Sequence, residues 1–170
     1  MKFKTFIQIY YSHRLAKASL LKKFYLNLTL PFIYLLNKFY YPKIKNLDHF
    51  SINHEYLFHK DLNYLFQYFN SDKGDFYINQ YQKPAKRESK LIPGHSYNHF
   101  YDKYFKKKKL QYLNILELGS FRGNAAAALF FYFKNAQIWC GDIFPDLFTY
   151  KSKRIKNFLI DTSSELELKN

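Results

Sequence analysis

An α/β fold with a short parallel sheet is predicted for the C-terminal part of this 170-residue chain, behind a helical N-terminal region. Three observations predict it. Past residue 111, apolar runs of strand length alternate with helical patterns. Each run ends on or beside an acid, at Glu117, Asp142 and Asp161. The first run also leads through Gly119 and Gly123 into an alanine-rich helix. Strands and helices in alternation imply parallel pairing through right-handed crossovers.

Residues 1–47 form the first predicted region, a basic aromatic helical segment. Phe3, Phe6, Ile7 and Tyr10 recur at helical spacing, and Leu15 and Ala18 extend the apolar side. A second apolar stretch, Phe24 to Leu36, is interrupted by Asn27 and Pro31. As a helix it spans roughly 20 Å, short of the roughly 30 Å hydrocarbon core of a bilayer. No small-residue cleavage pattern follows it, so it does not read as a signal peptide. Two readings follow: a segment lying on a membrane surface, or helices packed on the rest of the protein.

Residues 48–110 form a predicted helical pre-domain with a long loop. Phe58, Leu62, Leu65, Phe66 and Phe69 make one apolar stripe, with Ser51 or Asn53 as the expected cap. Asn70 to Gly74 carries turn chemistry. Residues 75 to 96 are polar, contain Pro84, Pro93 and Gly94, and read as loop. Tyr97, Phe100, Tyr101, Tyr104 and Phe105 then mark a second helix ending in the lysines 106 to 109, where cations suit the negative end of the dipole.

Residues 111–170 hold the predicted sheet: a strand over Leu113 to Leu118, a helix over Asn124 to Lys134, a strand over Gln137 to Gly141, a break at Phe144-Pro145-Asp146, and a strand over Asn157 to Ile160. The carboxyl ends of parallel strands lie along one edge, where open α/β sheets bind nucleotide-like ligands. A carboxylate at the second strand end, Asp142, can accept from two ribose hydroxyls. Asp161, with Thr162 and Ser163 beside it, can accept from an exocyclic amine of adenine. Gly119 and Gly123 are expected to let a ligand approach the backbone. Counted from Gly119, the dinucleotide pattern of three glycines fails at Phe121 and Asn124, so a ligand without phosphates is favoured.

In these residues the chain resembles the class I S-adenosylmethionine-dependent methyltransferases. Glu117-Leu118-Gly119-Ser120 with Gly123 matches their first motif, with Phe121 in place of the frequent central glycine; Asp142-Ile143 matches the second, and Asp161-Thr162 the third strand end. Upstream, Ser71-Asp72-Lys73-Gly74, then Gly94-His95-Ser96-Tyr97 and Tyr101, is similar to the segment before the cofactor domain in a bacterial subgroup that includes sugar O-methyltransferases of macrolide biosynthesis. The resemblance covers roughly residues 60 to 165. It implies a partial Rossmann-like methyltransferase sheet comprising the first three parallel strands. It further implies S-adenosylmethionine as cofactor, a small-molecule or sugar acceptor, and His95, Tyr97 and Tyr101 near the cofactor. It assigns no catalytic base and no metal ligand.

Only 47 residues follow Gly123, so the expectation is an N-terminal portion of such an enzyme, truncated or completed by another chain or copy, with little activity alone. A first strand without its next neighbour would leave an aggregation-prone edge. Composition bounds the alternatives. At 48% hydrophobic and 22% aromatic residues the chain is not broadly disordered. A single cysteine, Cys140, excludes an internal disulfide framework and fits the cytoplasm. Of the formal +14 charge, nine units fall in residues 1–47, which contain no Asp or Glu. The alternative function is therefore a non-enzymatic basic protein on anionic membrane surfaces. No nucleic-acid reader motif accompanies the charge.

Overall fold

The structure, a computed structural model, describes residues 2–10, 19–38, 44–78 and 91–164. The chain separates into two units, Met1–Lys43 and Ile44–Asn170.

The N-terminal unit contains α1 (Phe3–Tyr10) and α2 (Leu20–Lys38). Phe3 and Phe6 of α1 meet the Tyr34 ring of α2 at centroid distances of 5.0 and 5.4 Å. The predicted helical spacing from Phe3 holds to Tyr10, while Leu15 and Ala18 lie outside the described residues. α2 is longer than the apolar stretch that announced it and runs straight through Pro31. Proline has no N–H to donate to the carbonyl four residues back, that of Asn27, yet the helix is continuous through it. Among the described residues no helix is long and apolar enough to cross a membrane.

In the second unit β1 (Lys45–Asn46) leads into α3 (Leu47–Ile52), a 3-10 turn (Glu55–His59) and α4 (Leu62–Tyr68). The sequence pattern predicts one helix here, capped by Ser51 or Asn53, where the structure has a 3-10 turn and a separate α4. Asp61 is the cap instead: its carboxylate accepts the Tyr64 N–H at 2.7 Å, and Lys60 before it is extended. Ser51 spends its hydroxyl on the Asp48 carbonyl and Asn53 ends α3. Of the predicted stripe, Leu62, Leu65, Phe66 and Phe69 are buried, while Phe58 is half-buried against the core and Leu57, outside the stripe, takes the buried place in the 3-10 turn.

Within the predicted loop 75–96 an antiparallel pair forms, β2 (Phe76–Ile78) with β3 (Leu91–Pro93). Then come α5 (Tyr97–Phe105), a 3-10 turn of lysines (Lys106–Lys108), β4 (Asn114–Leu118), α6 (Asn124–Tyr132), β5 (Gln137–Asp142), a 3-10 turn (Pro145–Leu147), β6 (Tyr150–Lys151) and β7 (Ile155–Leu159). The main sheet has the order β4-β5-β7, all parallel, so the fold is mixed α/β with parallel strands and helices. The last strand begins two residues before the predicted Asn157. A second parallel pair, β1 with β6, had no sequence signal. It is secured by Asp48, whose carboxylate takes the Ser152 hydroxyl at 2.7 Å and the Lys153 N–H at 2.8 Å. Residues 44–47 consequently belong with the sheet unit, and segments 48–110 and 111–164 share one core.

That core is built around α6. Its residues from Ala125 to Tyr132 are buried on every side, because the helix lies between the sheet and α4. The alanines let it approach closely, and the rings of Phe58, Phe69 and Phe130 surround Phe131 at centroid distances of 4.9, 5.5 and 5.0 Å. Burying one such ring is worth about 1.5–3 kcal/mol. The sheet's other face carries Leu116, Leu118 and Trp139, which are exposed, and among the described residues β4 pairs with β5 alone.

At the C-terminal end of α6, Arg154 donates to three carbonyls, those of Phe130 (2.8 Å), Phe133 (2.9 Å) and Ala136 (3.2 Å). The guanidinium meets the helix's negative end and stacks on the Phe130 ring at 3.8 Å. Arg154→Met is expected to cost about 2–3 kcal/mol of unfolding free energy in a urea titration, and Arg154→Lys to recover less than half of it. A loss below about 0.5 kcal/mol would contradict this role.

Candidate functional site

The carboxyl edge of the three-stranded sheet carries Glu117, Asp142 and, two residues past β7, Asp161. Their environments differ, and the differences decide what each can do.

Glu117 points into the same layer as Ile115 and Cys140 and is only 7% exposed. Its Oε1 lies 3.2 Å from Lys73 Nζ. Beyond that ion pair, neither carboxylate oxygen accepts a hydrogen bond among the described residues. Burial raises the Glu117 pKa, and the attraction of Lys73 only partly offsets it. Burial alone would lower the Lys73 pKa, but Glu117, helped by Asp72, outweighs it and the net shift is upward. Half-buried Tyr101 stands beside the pair; burial raises its phenol pKa against the pull of Lys73. The Cys140 thiol is pushed up to about 12, chiefly by burial and then by Glu117, so it is an unreactive neighbour at neutral pH.

Lys73 is presented by a rigid turn. The segment Asp72 to Asp75 is tied to Gly94 to Tyr97 by four backbone bonds: His95 N–H to Asp72 (2.7 Å), Tyr97 N–H to Lys73 (2.8 Å), Ser96 N–H to Gly74 (3.1 Å) and Gly94 N–H to Asp75 (2.8 Å). Gly94 is obligatory, since a Cβ there would sit 2.1 Å from the Gly74 carbonyl oxygen. These are the two halves of the upstream segment singled out in the sequence, brought together by the β2–β3 pair. Sequence reasoning left Lys73 out of the site; its place in that segment was the signal. His95 lies 3.8 Å from Asp72 Oδ2 and stacks on Tyr97 at 5.4 Å, both rings exposed.

Asp142 is engaged with the glycine turn. One carboxylate oxygen accepts the Phe121 N–H at 2.7 Å and the other the Phe144 N–H at 2.8 Å. Each oxygen retains acceptor capacity for a ligand hydroxyl. Between the strands, the Gly119 N–H donates to the Gly141 carbonyl at 2.9 Å. The buried Ser120 hydroxyl is shared between the Glu117 and Gly141 carbonyls. Asp161 accepts from the hydroxyl and N–H of Ser163, which lower its pKa. Thr162 and Ile143 are exposed at the same edge.

The two glycines of the turn play different parts. At Gly119, φ is +76° and no atom lies within 4 Å of where a Cβ would be, so the space beside this backbone is open. At Gly123, φ is +80° and a Cβ would fall 2.4 Å from the Phe148 ring. The expectation that Gly123 is bare to admit a ligand is corrected accordingly: Phe148 occupies that space. A depression lined by Lys45, Asn46, His49, Phe50, Asn53 and His54 lies by β1 and α3, and holds no acid. Among the described residues no cluster of His, Cys, Asp and Glu could hold a metal ion.

No family model and no curated protein matches the chain. A solved structure of MycE, a methyltransferase from the mycinamycin biosynthetic pathway in complex with Mg, SAH and mycinamycin VI, is similar over 60% of this chain, with 19% identity and a TM-score of 0.43. The chain spans 25% of that protein's length. At that distance the chemistry has to be read from this chain's own residues.

Lys73→Met leaves Glu117 buried and unpaired, which costs about 3–5 kcal/mol. The orphaned acid then holds a proton in the folded state that the unfolded chain releases. Stability of the variant should therefore fall as pH rises from about 5 to 8, by up to about 1.4 kcal/mol per unit more than in the parent. Parallel stability–pH curves for the two proteins would contradict the buried-pair assignment.

Proposed function

We propose that the carboxyl edge of the sheet binds S-adenosylmethionine and that the chain takes part in methyl transfer, with a small-molecule or sugar hydroxyl as acceptor. The observation that carries the reading is the buried Glu117 carboxylate, which accepts no hydrogen bond among the described residues beyond its ion pair with Lys73, next to a glycine turn with open space at Gly119. A buried acid of this kind calls for a cationic or hydrogen-donating ligand group. S-adenosylmethionine has both kinds at one end, an ammonium and a sulfonium, and ribose hydroxyls in its middle.

In this reading Glu117, with Lys73 beside it, holds the amino-acid end of the ligand, Lys73 favouring its carboxylate. Asp142 accepts from the ribose, its orientation fixed in advance by the Phe121 and Phe144 N–H groups. Ser120 and Gly141 keep the two strand ends in register. Asp161 with Thr162, and Ile143, stand on the adenine side. His95 and Tyr97 form an aromatic wall, and such faces favour a sulfonium. When bound, the cofactor supplies an electrophilic methyl group; the protein's task is to orient it and exclude water.

Titration calorimetry with S-adenosylhomocysteine should give a saturable signal. Asp142→Asn keeps one acceptor for the turn but removes the charge, and should weaken binding about tenfold or more. An absence of heat, or an equal signal from a nicotinamide dinucleotide, would contradict the proposal.

A further inference from the structure

Helix α2 is apolar on more sides than its packing uses. With about 100° of rotation per residue, Phe24, Leu35, Leu28, Leu21, Phe32 and Tyr25 fill one arc of roughly 100°, and every position inside that arc is apolar. All six are exposed, between 54 and 83%. The opposite side carries buried Leu30 and the Tyr34 ring on which α1 packs. The arc extends along a helix about 28 Å long. Soluble monomers rarely leave so large a contiguous apolar surface uncovered.

The charge around this face selects its occupant. Residues 1–47 hold nine Lys and Arg and no acid. Lys4 and Lys22 are exposed, and Lys23 is half exposed. A second copy docked on the same face would set two such segments of like charge against each other. A surface that is apolar below and anionic above satisfies both features at once: the arc enters the acyl boundary while the lysines stay with the headgroups. We infer that α2 is an in-plane membrane helix that docks this protein on anionic lipid bilayers, its Phe24–Leu28–Phe32 face buried among acyl chains and its lysines on the headgroups. The inference is independent of the cofactor reading, which concerns the other unit.

The test is co-sedimentation of the full chain with vesicles of phosphatidylcholine alone or containing about a third phosphatidylglycerol, at low salt and at about 0.5 M salt. Binding is expected only to the anionic vesicles and is expected to fade with salt. Replacing Lys4, Lys22 and Lys23 together by Gln should weaken it on the order of a hundredfold. Leu28→Glu, with far-UV circular dichroism unchanged, should weaken it on the order of tenfold or more. In a Trp139→Phe background, the Phe24→Trp variant should shift its emission to the blue on adding anionic vesicles, which reads insertion even if the Glu variant does not fold. The inference is overturned if the parent chain stays in the supernatant with anionic vesicles, if Leu28→Glu binds as well as the parent, or if the emission of the Phe24→Trp variant does not move. It is equally overturned if the lipid-free chain is an oligomer that Leu28→Glu dissociates, since a protein then covers the face.

Discussion

A lysine and a glutamate brought out of water in the same place set the terms for the second unit. Lys73 and Glu117 come from segments more than forty residues apart, and removing either from solvent is expensive unless the other is there. The turn that carries Lys73 is therefore not an incidental connection. It is zipped by four backbone bonds to the segment ahead of α5, backed by a glycine that tolerates no side chain, and tied to α4 through Asn63, which exchanges hydrogen bonds with Asp75 at 2.7 and 3.0 Å. The helical pre-domain thus reaches the end of the first sheet strand as a fixed wall.

Asp142 extends the same logic to the next strand. By holding the Phe121 N–H it makes a non-glycine residue adopt a positive φ of 47° in the turn, a conformation that needs such support. Asn124 at the start of α6 reaches across to the Asn70 carbonyl at 2.9 Å, joining the glycine turn to the end of α4. Strand ends, glycine turn and pre-domain are cross-braced by these bonds.

Much of this was legible from residues 111 onward, because short apolar strand runs and a buried alanine helix each write a pattern that local sequence cannot disguise, although the first strand, read as a buried one, has one face exposed at Leu116 and Leu118. The three strands, their order of acids and the helix after Gly123 could be read directly. What escaped were features decided by partners distant in sequence. The β1–β6 pair depends on Asp48 finding Ser152, and the β2–β3 pair brackets a polar segment without alternation. The helix break at Lys60 follows from Asp61 winning the cap over Ser51 and Asn53. Gly123 looked like a ligand-facing glycine because its neighbour Phe148 lies 25 positions away and nothing local announces the contact. In the first unit the pattern predicted helices, and Pro31, which interrupts the apolar stretch in sequence, does not end α2.

The most direct measurement of the central claim is a carboxyl carbon-13 NMR titration of Glu117 in the parent chain, with and without S-adenosylhomocysteine. A midpoint above the ordinary glutamate range is expected in the free protein, because burial outweighs Lys73, and a lower midpoint once the ligand's ammonium is present. An ordinary midpoint in the free protein, or one that the ligand leaves unmoved, would contradict it.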